Sequence, residues 1–156
     1  MHDILSLLDK KTITSVQLVK WAHNRSRTVG LKLNAIVDSL YEEALEQAKL
    51  ADQLRETGTY NKSQKPFLGI PISVKEEYSM ANKEITAGFG NRLGDKPTET
   101  CPLILGLIEL GAIPIVRSNV PQFLMATEGI NEIYGTTKNP HNPERSSGGS
   151  SSGEGC

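Results

Sequence analysis

The chain has 156 residues, a formal net charge of −1, 37% hydrophobic residues and 22% charged residues. This length suffices for one domain with a buried core. The near-zero net charge gives no electrostatic reason to expect nucleic acid or an anionic membrane as a partner. Cys101 and Cys156 are too few for a disulfide framework and lack metal-ligand spacing. The composition therefore predicts neither a metal site nor a cofactor site.

No targeting or membrane-spanning signal is visible in the sequence. The N-terminal segment MHDILSLLDKK lacks the long apolar core and the small-residue cleavage site of a signal peptide. The most apolar stretch, residues 102–116, is too short to span a bilayer and contains Glu109. We therefore expect a cytoplasmic protein or one bound peripherally to a membrane.

Hydrophobic spacing and end signals predict three principal helices, over residues 14–27, 40–57 and 99–111. Thr14 followed by Gln17 is a capping-box start for the first of them. Gly58 stands where a C-terminal stop for the second belongs. Thr98–Thr100 offers a cap for the third, which is apolar enough to be buried.

Three segments are predicted to be strands: LNAIVDS (33–39), FLGIPISVK (67–75) and IPIVRSNV (113–120). The second and third are separated by one helix and short connections, which favours parallel pairing. We expect all three strands to be parallel. The predicted fold class is α/β, a partial mixed or parallel sheet flanked by helices.

Three familiar kinds of site find no support in the sequence. The glycines of residues 88–94 resemble a dinucleotide fingerprint, but the last glycine is one position late and no helix follows directly. The glycine-rich end of the chain has no Gly-Lys-Ser/Thr, so it is not a Walker-type phosphate loop. The three histidines are scattered, which disfavours a histidine metal site or a Ser-His-Asp triad.

Two features remain. Lys75 stands where the Gly-Ile-Pro-Ile-Ser-Val strand ends, and three serines, residues 150–152, stand between glycines. A lysine at a strand end is usually an edge or surface residue. A Gly/Ser-rich terminus is usually a flexible tail. Each feature alone therefore favours a structural interpretation.

Together these features resemble a known family. The segments GIPISVKE, GAIPIVRSNVPQ and YGTTKNPHNPERSSGGSSSGEG occur in order and at similar spacing in the amidase signature family. The resemblance spans roughly residues 33–155 and is most similar to the fatty acid amide hydrolase branch. It implies that residues 1–156 are the N-terminal part of a single amidase signature domain, truncated inside the Gly/Ser-rich signature.

The resemblance also implies a mechanism, a Ser–cis-Ser–Lys triad that hydrolyses amides by acyl transfer. Lys75 falls on the catalytic lysine, and Ser150 on the bridging serine, which also binds substrate and follows a cis peptide bond after Gly149. Ser151 is a candidate supporting residue. Lysine accepts a proton only when neutral, and burial disfavours its charged form. A hydroxyl can relay a proton because it both donates and accepts.

Three further expectations follow from the same resemblance. The attacking serine lies downstream in the family, so we expect this chain to lack it and to be inactive alone. Glu76 replaces the commoner aspartate after the lysine, a mild change. The substrate is expected to be a small amide, with a long-chain acyl amide as the branch-level candidate, and Leu124 and Met125 are expected near it. Membrane association and a homo-oligomer stay open.

A second class of function competes with the hydrolase. The chain can also be a non-catalytic remnant, a binding or assembly module that descends from the family. A Gly-Gly-Ser continuation beyond Cys156 would favour the hydrolase. Acyl and amine specificity are not encoded in any motif that we identify.

Overall fold

The computed structural model describes residues 2–156. These residues form five α-helices: α1 (His2–Asp9), α2 (Ser15–Arg25), α3 (Tyr41–Thr57), α4 (Pro102–Glu109) and α5 (Ser152–Gly155). They also form five strands: β1 (Ile36–Ser39), β2 (Ile70–Lys75), β3 (Ala112–Ser118), β4 (Ile130–Asn131) and β5 (Gly135–Thr136). The predicted mixed α/β class is confirmed.

Local end signals explain the two long helices. Thr14 Oγ1 accepts a hydrogen bond from Gln17 N at 3.1 Å, and Gln17 Oε1 accepts one from Thr14 N at 2.9 Å. This is the predicted capping box, and it satisfies backbone donors that the first turn of α2 leaves free. Gly58 adopts a left-handed φ of 67° at the end of α3, as its position predicts.

The third predicted helix begins later than expected. α4 covers Pro102–Glu109, and its N-cap residue, Cys101, makes no side-chain capping hydrogen bond. Thr100 Oγ1 instead accepts a hydrogen bond from Ala81 N at 2.9 Å. The predicted cap within Thr98–Thr100 is therefore wrong, because the hydroxyl binds a distant loop. The helix is also less buried than predicted, since Leu103 is 55% exposed.

The main sheet has the strand order β1-β3-β2. β2 and β3 pair in parallel, and the chain between them contains α4, as predicted. β1 pairs antiparallel with β3, so the expected parallel direction of the first strand is wrong. The chain passes from β1 through α3 to β2, but β1 and β2 are not neighbours in the sheet. The preference for parallel pairing of strands joined by a helix therefore does not set the direction of β1.

β3 is the centre of the sheet, and all seven of its residues are buried. The core cluster combines α2, α3 and β3 and contains Val19, Ala44, Ala48, Ile113, Ile115 and Val116. Lys75, the last residue of β2, pairs in register with Ser118, the last residue of β3. This edge of the sheet carries the candidate site.

Candidate active site at the end of strand β2

The structure brings Lys75 and Ser150 together. Lys75 Nζ donates a hydrogen bond to Ser150 Oγ at 3.1 Å, although the two residues are 75 positions apart in sequence. The lysine side chain is only 11% exposed. Its amine also lies 3.1 Å from Glu77 Oε1, so this carboxylate competes with Ser150 for the protons of the amine. Sequence reasoning did not identify Glu77 as a partner of the lysine.

The segment that carries Ser150 has the expected backbone geometry. The peptide bond between Gly149 and Ser150 is cis, as the resemblance implies. Gly148 has φ of 88°, in the left-handed region that favours glycine. A Cβ atom at Gly149 would lie 3.0 Å from Ala126 O, which leaves little room for any other residue.

The Gly/Ser-rich terminus is packed against the sheet and is not a free tail. Gly153 N donates to Asn119 O at 3.0 Å. A Cβ atom at Gly153 would lie 2.1 Å from Ala35 O and 2.7 Å from Asn119 N. Only glycine allows this approach of the terminal segment to the backbone around β3. The flexible-tail interpretation of this segment is therefore wrong.

The two serines after Ser150 differ in their surroundings. Ser151 is exposed and stands just before α5, whereas Ser152 is buried. The Ser152 carbonyl accepts a hydrogen bond from Ser147 Oγ at 2.9 Å. Within residues 2–156, the Ser152 hydroxyl has no hydrogen-bond partner. The structure therefore places Ser151 closer to the surface of the candidate site and Ser152 behind it.

A cavity of about 250 Å³ lies beside the lysine. Polar side chains line one part of it and an apolar face of α4 lines another: Ser73, Val74, Lys75, Tyr78, Leu103, Ile104, Leu107, Ser151 and Glu154. Ser73 Oγ donates to Glu154 Oε2 at 2.7 Å across this cavity. The two-residue spacing of Ser73 and Lys75 could have indicated that Ser73 lies beside the lysine, because such residues share one face of a strand. Nothing local in the sequence indicates Glu154.

Glu76 lies in a different environment from its neighbour, Lys75. It is fully buried. Its carboxylate accepts hydrogen bonds from Thr86 N at 2.5 Å, Thr86 Oγ1 at 3.0 Å and Ala87 N at 2.9 Å. Arg117 Nη2 lies 3.9 Å from Glu76 Oε1 and donates to the Glu76 carbonyl. Glu76 therefore anchors the strand end that carries the lysine to the loop at Thr86.

The pKa of Tyr134, next to this buried cluster, is raised. The cause is chiefly burial, which disfavours the charged phenolate, with a further contribution from the Glu76 and Glu84 carboxylates. A hydrogen bond with Thr86 acts in the opposite direction. Burial and the neighbouring carboxylates therefore both favour the neutral phenol of Tyr134.

Leu124 and Met125 do not line the cavity beside Lys75. Leu124 ends a short 3-10 turn, Gln122–Leu124, and is half-buried, whereas Met125 is 86% exposed. The segment nevertheless adjoins the cis bond, because a Cβ atom at Gly149 would lie 3.4 Å from Pro121 Cγ. A contact of Leu124 with substrate stays a prediction.

Within the described residues 2–156, no group of three or more His, Cys, Asp or Glu side chains is arranged to hold a metal ion. In the same part of the chain, no helix combines the length and the apolar character needed to cross a membrane.

The thiol of Cys156 donates a hydrogen bond to Lys138 O at 3.3 Å. Burial raises the pKa of this thiol.

Comparison with known proteins places this geometry in a family. Residues 17–156 match a family model described as Amidase. The chain belongs to the amidase family. The predicted resemblance to amidase signature enzymes is thereby confirmed.

Relatives at about 30% identity include amide hydrolases. The chain is 32% identical to fatty-acid amide hydrolase 2 of Homo sapiens over an alignment of 159 residues. This alignment covers 98% of this chain and 30% of that protein. It is 30% identical to Amidase 2 of Gibberella moniliformis over 153 residues, which are 97% of this chain and 29% of that protein. The chain therefore spans about 30% of the length of these relatives.

Solved structures agree with this assignment. A fatty acid amide hydrolase superposes with a TM-score of 0.90 at 31% identity, over 97% of this chain and 26% of that chain. A bacterial aryl acylamidase of the amidase signature family superposes with a TM-score of 0.88 at 23% identity, over 96% of this chain and 31% of that one. The second likeness supports the fold alone.

Proposed function

We propose that residues 1–156 supply the base and the proton relay of an amide hydrolase. In this proposal Lys75 is the base, Ser150 is the relay, and the attacking serine belongs to a part of the protein beyond residue 156. The observation that carries the proposal is the 3.1 Å hydrogen bond between Lys75 Nζ and Ser150 Oγ. Membership of the amidase family and the partial coverage of its relatives support it.

The proposed reaction is acyl transfer through a covalent intermediate. The attacking serine oxygen adds to the carbonyl carbon of the amide while its proton passes to Ser150 Oγ. Ser150 passes its own proton to Lys75 Nζ, which a hydroxyl can do because it donates and accepts. The same relay in reverse protonates the leaving nitrogen, so that the amine departs. Water then attacks the acyl-enzyme and releases the acid.

The proposed substrate is a small amide, and a long-chain acyl amide is the finer proposal. This finer proposal rests on the relatives named fatty-acid amide hydrolase and on the place of Leu124 in the chain between Pro121 and Ala126, which both lie near Gly149. Leu124→Asp in the complete enzyme should lower turnover of long-chain acyl amides relative to short-chain ones. Unchanged preference with unchanged stability would remove Leu124 from the substrate site.

The test compares residues 1–156 with the complete protein that carries them. First, the reading frame beyond Cys156 is examined for a Gly-Gly-Ser stretch. Both forms are then assayed with an activated amide and with a fluorophosphonate, which labels activated serines. We expect turnover and labelling of the complete protein only, with both lost in Lys75→Ala and in Ser150→Ala. A Glu46→Ala variant on the outer face of α3 is the matched control and should remain active.

Three results would overturn the proposal. Labelling of the 1–156 form by itself would place the attacking serine within this chain, with Ser151 and Ser152 tested first by substitution. Full activity of Lys75→Ala would remove the lysine from the chemistry. A complete protein that lacks the serine and turns over no amide would favour the competing function, a binding or assembly module of the same descent.

A further inference from the structure

A second hydrogen bond joins the strand of Lys75 to the segment of Ser150. Ser73 Oγ donates to Glu154 Oε2 at 2.7 Å. Ser73 and Lys75 are two residues apart on β2, so their side chains leave the strand on the same face. Both line the cavity beside the lysine, together with Glu154. The Ser73–Glu154 and Lys75–Ser150 hydrogen bonds are therefore neighbouring links between the same two segments.

We propose that Glu154, through Ser73, is a positioning residue that holds Ser150 within hydrogen-bond reach of Lys75. This inference rests on the proposed roles of Lys75 and Ser150, and it assigns Glu154 no contact with substrate. Ser73 contributes the donor, and the Glu154 carboxylate contributes the acceptor. The pair fixes where α5 lies along β2, and the position of α5 determines where Ser150 lies relative to the lysine.

The segment needs such a link because it has little stability of its own. α5 is a single turn of four residues, and its N-cap residue makes no side-chain capping hydrogen bond. A helix of this length is not stable in isolation, so tertiary contacts determine its position. The hydrogen bond from Gly153 N to Asn119 O ties α5 to the end of β3. The Glu154–Ser73 hydrogen bond ties it to β2, which carries the lysine.

The geometric tolerance of the relay is narrow. A proton relay requires heavy atoms about 2.6–3.2 Å apart, and the Lys75–Ser150 distance of 3.1 Å is near the upper limit. A displacement of about 1 Å can cost up to about 100-fold in rate. Ser73 and Glu154 are both exposed, so water replaces part of their hydrogen bond when it breaks. We therefore expect kcat to fall about tenfold, which is less than the upper value of about 100-fold for a displacement of about 1 Å.

The first experiment measures kcat and KM for five variants of the complete protein. Glu154→Ala and Ser73→Ala should each lower kcat about tenfold. The KM of both should stay within about twofold, because the relay acts on chemistry and not on substrate binding. The double variant should lose no more than either single variant, since both remove the same link. Glu154→Gln keeps an acceptor oxygen and should recover most of the activity, whereas Glu46→Ala should match the wild type.

The second experiment does not depend on turnover. Acetic anhydride acylates exposed amines, and the acylation of Lys75 is compared by peptide mass spectrometry with that of Lys62, whose side chain is 69% exposed. Lys75 should react slowly in the wild type, because it is nearly buried. It should react faster in Glu154→Ala and in Ser73→Ala, because Ser150 no longer stays over the amine. Ser150→Ala gives the reference rate for an uncovered lysine.

The two readouts separate failure of this inference from failure of the proposed function. If Lys75→Ala is inactive while Glu154→Ala has wild-type kcat and wild-type acylation, the positioning role is overturned and the proposed function stands. If Lys75→Ala is active, the proposed function fails, and the acylation rates still show whether Glu154 holds Ser150 over the amine. If Glu154→Gln is as impaired as Glu154→Ala, positioning through the hydrogen bond is overturned.

Discussion

Lys75 and Glu76 are adjacent in sequence, but the two side chains have opposite surroundings. Glu76 is fully buried and accepts three hydrogen bonds from the loop at Thr86 and Ala87. Lys75 reaches a cavity, where it meets one hydroxyl and one carboxylate. A buried and fully hydrogen-bonded group is costly to disturb, whereas an amine that faces a cavity can change partners. Glu76 therefore stabilises this strand end, whereas the Lys75 amine faces the cavity.

The largest expected effect is the loss of stability when the buried Glu76 is replaced. Glu76→Ala should lower the free energy of unfolding by about 3–5 kcal/mol, because it leaves two loop N–H groups without their buried acceptor and removes the buried carboxylate that lies 3.9 Å from the Arg117 guanidinium. Urea unfolding followed by circular dichroism measures this loss. Glu46→Ala, an exposed substitution on α3, should change it by no more than about 0.5 kcal/mol. A loss below about 1 kcal/mol in Glu76→Ala would refute the anchoring role.

A smaller effect is expected where the glycines of the terminal segment pack. Gly153→Ala should cost about 1–3 kcal/mol of stability, because the new Cβ would lie 2.1 Å from Ala35 O, a backbone atom. Gly155→Ala is the matched control in the same helical turn, since its Cβ would lie 4.0 Å from the nearest atom, Ser147 O. The control should be neutral or slightly stabilising. Equal melting temperatures for both variants would show that the segment is not packed as described.

The smallest expected effect on stability is at the proposed catalytic pair, Lys75 and Ser150. Lys75→Met keeps the apolar stem and removes the amine, and Ser150→Ala removes only the hydroxyl. Each should lower the free energy of unfolding by no more than about 1 kcal/mol, because a single hydrogen bond contributes about that much and the pair faces a cavity that water can enter. The same urea titration applies. A loss above about 2 kcal/mol would mean that Lys75 is as structural as Glu76, and the contrast between them would disappear.

Much of the local structure was predictable because its causes lie within a few residues. The Thr14–Gln17 capping box and the left-handed Gly58 act on the turn that contains them. The parallel β2–α4–β3 unit follows from apolar segments with short connections. The Thr100 cap failed because its hydroxyl had a more distant partner, Ala81, that no local pattern indicates.

The candidate site was predictable only through the resemblance to a family. Composition alone does not distinguish Ser150 from Ser151 or Ser152, and a lysine at a strand end is ordinary. The resemblance separated them by position, and the structure brings Ser150 to Lys75. Glu77 and Glu154 were missed. Glu154 was missed because its partner, Ser73, lies 81 residues away in sequence.

The sequence by itself determined where α2 begins and where α3 ends, which segments form the main sheet, and which family the chain resembles. These features depend on backbone capping and on hydrophobic periodicity, which act over short distances along the chain. Only the tertiary structure decided that β1 runs antiparallel, that Glu76 is buried while Lys75 faces a cavity, and that Ser73 holds Glu154. Each of these depends on which distant segments pack together, and side-chain partners are chosen only once the sheet has brought them within a few ångströms.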